Sequence, residues 1–98
     1  MNLVEVLNFI KVNINNNIII SQHFLDQCYE RNLDLYGIKE IFLKNKILGI
    51  VKQGKNLYKI WYYYTESKDL NLILEIVNNQ KIKFITVFPC ESVRRERK

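Results

Sequence analysis

The chain contains no alanine, one histidine, one proline, three glycines and two cysteines. Two cysteines are too few for a disulfide framework. With a lone histidine and cysteines far apart, there is no close-paired ligand set of the kind zinc uses, so no metal and no cofactor is expected. No apolar run reaches the length that spans a bilayer, and no membrane association is expected. The N-terminus carries Glu5 and Asn8 and lacks the long apolar core of a secretory leader, which points to a cytoplasmic protein.

Asparagine and isoleucine are what is present. Twelve Asn, fourteen Ile and eleven Lys give the composition of an AT-rich genome, so lysine abundance alone carries little. The formal charge of +5 still fits a polyanionic partner better than a basic one. Residues 91–98 form a basic tail, with Arg94, Arg95, Arg97 and Lys98 against Glu91 and Glu96, which leaves the body at about +3. Hydrophobic residues make up 48% of the chain, enough for one core, so residues 1–98 read as a single domain.

The segment Ser21 to Arg31 holds the one histidine and the only arginine before the tail. On a helical wheel, His23, Gln27, Glu30 and Arg31 share a polar side, while Phe24, Leu25, Cys28 and Tyr29 share the apolar one. Ser21 is placed as the N-cap. A base, a carboxylate and a fixed cation on one face suit acid–base chemistry on a phosphate. The alternative is a solvated helix face.

Before it, residues 2–12 have helical spacing through Leu3, Val6, Leu7 and Ile10, Asn13 to Asn17 reads as a turn, and Ile18 to Ile20 as a brief strand. After it, Asn32 stops the helix, Asp34 caps a second one over Leu35 to Lys46, and the period then changes. Strands are expected over Ile47–Val51, Leu57–Thr65, Leu70–Val77 and Lys81–Phe88, the last ended by Pro89. Thr86 is expected to share a face with Ile82, Phe84 and Phe88. The expected architecture is α+β: N-terminal helices packed on one face of a four-stranded antiparallel meander.

Three stretches together carry a resemblance: Ile18-Ile19-Ile20-Ser21-Gln22-His23, then Glu30-Arg31-Asn32-Leu33, then Phe84-Ile85-Thr86-Val87-Phe88. In order and spacing they resemble a family of unknown function near the RelE/ParE-like toxins, which include BrnT-type ribonucleases. The resemblance spans roughly residues 1–95. It implies a RelE-like ribonuclease toxin fold, a metal-independent endoribonuclease, and His23, Arg31 and Thr86 as catalytic positions. It also implies RNA, free or ribosome-bound, as substrate and a cognate antitoxin as partner; a homodimer stays open. Relatives often have a basic residue between the histidine and the Glu-Arg pair, where this chain has Phe24-Leu25-Asp26-Gln27.

In such an enzyme the RNA 2′-OH attacks the adjacent phosphate. His23 would move the proton, Arg31 would grip the phosphate through its planar fork, and Arg94 or Arg95 would add a cation. Tyr62 and Tyr64 are the candidates for stacking unpaired bases. Each residue also has a plain structural reading: Arg31 paired with Glu30 or Asp34, the tyrosines in the core, Thr86 as a strand threonine. The whole chain has a second reading, a non-catalytic nucleic-acid- or protein-binding module of the same fold.

Overall fold

A computed structural model of the chain describes residues 2–14 and 18–91. Three helices, α1 (Leu3–Asn13), α2 (Gln22–Glu30) and α3 (Leu35–Lys44), accompany five strands, β1 (Ile18–Ile20), β2 (Ile47–Gly54), β3 (Leu57–Tyr63), β4 (Lys68–Val77) and β5 (Lys81–Glu91). The class is α+β. The sheet, however, is five-stranded and mixed, in the order β1-β5-β4-β3-β2. β2 to β5 form the expected antiparallel meander, and β1 adds to it in parallel through Ile18 to Ile20 against Ile82 to Phe84. A parallel pairing between segments so distant in sequence leaves no local trace.

Local chemistry sets the helix ends. Asn2 and Glu5 make a reciprocal capping box on α1. The Ser21 hydroxyl accepts from Phe24 N–H, and Asp34 Oδ1 accepts from Gly37 N–H, as the sequence suggests. α2 ends in a Schellman motif: Leu33 N–H donates to the Cys28 carbonyl and Asn32 N–H to that of Tyr29, with Asn32 left-handed at φ 55°. The left-handed positions among the described residues are Asn32, Asn56, Asn78 and Asn79, and no glycine is among them. Asparagine is the residue that best replaces glycine there. Asn78 and Asn79 supply two consecutive positive φ angles for the β4–β5 hairpin.

The core lies on one face of the sheet. Tyr58, Ile60 and Tyr62 of β3, Leu70, Leu72, Leu74 and Ile76 of β4, and Ile82, Phe84 and Val87 of β5 are buried there. They pack with Val6, Ile10, Ile14, Phe24, Cys28, Ile38 and Phe42 from the helical side. Phe24 meets Phe84 with ring centroids 5.2 Å apart, and Phe42 meets Tyr62 at 4.8 Å. On α2 only Phe24 and Cys28 are buried; Leu25 and Tyr29 of the expected apolar side are exposed.

Two expectations for β5 fail, each for its own reason. The register against β4 slips by one residue between Phe84 and Thr86, so alternation inverts there. Thr86 and Phe88 therefore stand opposite Ile73 and Asn71 on the outer face, not with Ile82 and Phe84. Pro89 does not end the strand, which continues to Glu91. By alternation from Val87, the nitrogen of Pro89 points out of the ladder, where proline removes no pairing donor.

Candidate nucleic-acid interface

The helices cover one face of the sheet, and side chains of the opposite parity make up the other. Its cross-strand rows follow from the register: Gly49, Trp61, Asn71 and Phe88 in one, and Val51, Lys59, Ile73 and Thr86 in the next. Trp61 lies against Gly49, and a Cβ there would overlap the six-membered part of the indole. The glycine is required by space rather than by φ. Asn71, the one buried polar residue of the described chain, sits between the Trp61 and Phe88 positions.

Lys59 ties this surface together. Its ammonium is 5.9 Å from the Trp61 ring centroid and 6.0 Å from that of Phe88, within cation–π range of both. Trp61, Phe88 and Lys59 are each half-buried. Lys81 and Lys83 share the face farther along β5, with Glu75 opposite Lys83. The outer face thus combines two flat rings with cations. Such a surface can stack bases and attract a phosphate backbone.

The residues singled out from sequence are distributed differently. Tyr62, expected to stack bases, is instead 1% exposed and packed against Phe42, so it cannot stack a nucleotide. Its hydroxyl is buried without a hydrogen-bond partner, and burial pushes its pKa up. Tyr64 is half-buried and leans on the core. Thr86 is half-buried on the outer face. Arg94 and Arg95 lie outside the described residues.

His23 on α2 and Arg31 at its C-cap are both exposed. They flank Gln27 in an i, i+4, i+8 row, and Gln27 Oε1 accepts the backbone N–H of Val87 at 3.1 Å. This row therefore faces the margin of β5. Two turns of helix, about 12 Å of axial rise, separate the backbone positions of its two outer members. Neither Glu30 nor Asp34 forms an ion pair with Arg31. Asp26 instead accepts a hydrogen bond from Gln22 at 2.9 Å. Burial, aided by Asp34 and opposed by Arg31, pushes the pKa of the buried Cys28 thiol up. Among the described residues no group of three His, Cys, Asp or Glu side chains could hold a metal ion, and no helix is long and apolar enough to cross a membrane.

Lys59, Phe88 and Gln27 were missed from sequence. The first had a readable signal. Lys59 in a strand that is otherwise apolar marks the outward parity, which puts Trp61 with it and Tyr62 on the other side. Phe88 had none, because the β-bulge that turns it outward is a tertiary feature.

Architecturally this is a two-layer α+β protein whose sheet, among the described residues, has one face without helices. The chain belongs to the MJ0788 family, whose model matches residues 4–74, from α1 into β4. No curated protein and no solved structure matches it.

Proposed function

We propose that this protein is a binding module for single-stranded RNA, and that the outer face of its sheet holds the ligand. The observation that carries this reading is Lys59, poised between Trp61 and Phe88 on a face that no helix of the described residues packs against. The two rings offer stacking that tolerates any base, and the lysines offer phosphate contacts. The net charge of +5 acts in the same direction.

Trp61 is the only tryptophan, so binding can be followed by its fluorescence. Oligouridylate should quench it saturably, with an apparent Kd that rises with salt. Lys59→Gln and Phe88→Leu should each weaken binding about tenfold, in the range of one lost stacking contact, whereas His23→Ala should leave it unchanged. If the fluorescence does not change at low salt, or if both face variants bind like wild type, the proposal fails.

A second reading has one observation in its favour: His23 on α2 and Arg31 at its C-cap are both solvent-exposed, and neither forms an ion pair among the described residues. It is the RelE/ParE-like toxin reading, in which RNA is cleaved without a metal by 2′-OH attack, His23 moves the proton, Arg31 binds phosphate, and an antitoxin restrains the enzyme. Thr86 stands apart from that pair by its parity on β5, and this favours binding over cleavage. End-labelled RNA decides between them. Cleavage abolished in His23→Ala and Arg31→Ala, with folding intact, supports the second reading, and RNA left uncut by wild type removes it.

A further inference from the structure

The two margins of the sheet are built differently. β5 presents few free backbone donors along its outer side. β1 pairs with it from Ile82 to Phe84, Gln27 takes the Val87 N–H, and Pro89 has no N–H to present. β2 has no such cover among the described residues. The Tyr63 N–H donates to the Lys46 carbonyl, and alternation along β3 then turns Gly49 and Val51 toward β3. The backbone groups of Ile50 and Lys52 face outward. From Ile47 to Val51 this strand has no charge and no proline, two of the features that usually blunt an edge, and its register against β3 is irregular only between Ile47 and Gly49 and between Lys52 and Gly54.

We propose that the β2 edge receives an extended acidic segment of a partner protein as a sixth strand. The backbone ladder calls for a polypeptide, since a nucleic acid has no matching row of alternating donors and acceptors. Charge selects the kind of polypeptide. Residues 41–65 carry Lys44, Lys46, Lys52, Lys55 and Lys59 and no acid at all. Lys46 precedes the strand, Lys52 and Lys55 lie at its far end, and all three are exposed. A second copy of this chain would bring a second all-lysine hairpin against the first, which like charges disfavour. A segment with an apolar centre and carboxylates at both ends would meet Ile47 to Val51 with its centre and the lysines with its ends. This site is the sheet's edge, separate from the outer face that the RNA reading uses.

The test uses a short synthetic peptide with a Val-Ile-Val centre between paired glutamates. Two controls accompany it: the same peptide N-methylated on the central backbone nitrogens, and one with lysines for the glutamates. Binding is read by fluorescence anisotropy on the intact protein, and the contact site by hydrogen exchange. The acidic peptide should bind and slow exchange at the Ile50 and Lys52 amides, and both controls should bind at least about tenfold more weakly. Lys52→Pro, which deletes an outward donor but no β2–β3 bond, should lose about tenfold, whereas Lys52→Gln should lose only about threefold. Circular dichroism should show both variants folded. Phe88→Leu should not affect the peptide, which keeps this outcome separate from that of RNA binding.

Several results would overturn the proposal. They are absence of peptide binding, equal binding by the N-methylated peptide, or Lys52→Pro behaving like Lys52→Gln. Two others would reassign the edge. A concentration-dependent dimer that protects the β2 amides without peptide gives it to a second copy, and competitive displacement of the peptide by oligouridylate gives it to nucleic acid.

Discussion

Gln27 and Val87, 60 positions apart in sequence, are joined by a 3.1 Å hydrogen bond from the backbone N–H of one to the side-chain oxygen of the other. β1 ends opposite Phe84, and Gln27 takes over the β5 margin just beyond it. Val87 is fully buried, so its N–H depends on this one acceptor. Gln27→Met fills the space without an acceptor and should cost about 1–3 kcal/mol, the usual penalty for an orphaned buried donor. Urea denaturation at neutral pH measures it. Gln27→Glu retains an acceptor and should cost less.

Tyr62 should be improvable. Its buried hydroxyl lacks a partner. Tyr62→Phe removes the unsatisfied group and keeps the ring on Phe42, so stability should rise by about 1 kcal/mol. No gain in the urea midpoint would mean that the hydroxyl is satisfied in solution.

Alkaline pH should destabilise the fold. Burial raises the Cys28 and Tyr62 pKa values, so the folded chain holds these two protons to higher pH than the unfolded chain does. Once pH passes about 8.5 for a free thiol and about 10 for a free phenol, the unfolded state binds fewer protons and stability falls. Below those values the contribution is fully present. Denaturation midpoints measured across this window should decline. Tyr62→Phe should flatten the part of the decline near and above pH 10, and an unchanged slope would exclude Tyr62 as its source.

Gly49→Ala should be far more disruptive than an exposed glycine substitution. The added methyl overlaps the Trp61 ring, so the indole must leave its place beside Lys59. A cost of about 1–3 kcal/mol is expected, typical of overpacking. Trp61 fluorescence should shift, and affinity for oligouridylate should drop with it. A Trp61→Leu background should recover most of the stability loss, because the clash is then removed.

Sequence reasoning reached features whose causes are local. Ser21 and Asp34 are recognisable caps, Asn32 is a recognisable stop, and Leu70, Leu72, Leu74 and Ile76 alternate as a strand with one buried face should. What it missed depends on chain segments meeting. Ile18 to Ile20 reads as a strand, but nothing near it says that its partner is Lys83 and its neighbours. Thr86 was misassigned because a slipped register inverts everything after it. Pro89 looked like a terminator because its freedom from the ladder depends on which side of β5 lies outermost. Tyr62 looked available because consecutive aromatics hide the alternation that Lys59 reveals. In the candidate site, His23 and Arg31 were legible as exposed polar residues of a helix, whereas the Lys59, Trp61 and Phe88 grouping required three strands in register.

The parallel pairing of β1 with β5 also constrains biosynthesis. The ribosome releases Ile18 to Ile20 long before Ile82 to Phe84 exist. α1 and α2, which pack toward β5 through contacts such as Phe24 with Phe84, must wait as well. During elongation the meander can assemble from neighbouring hairpins, while β1, α1 and α2 remain undocked until β5 has been made.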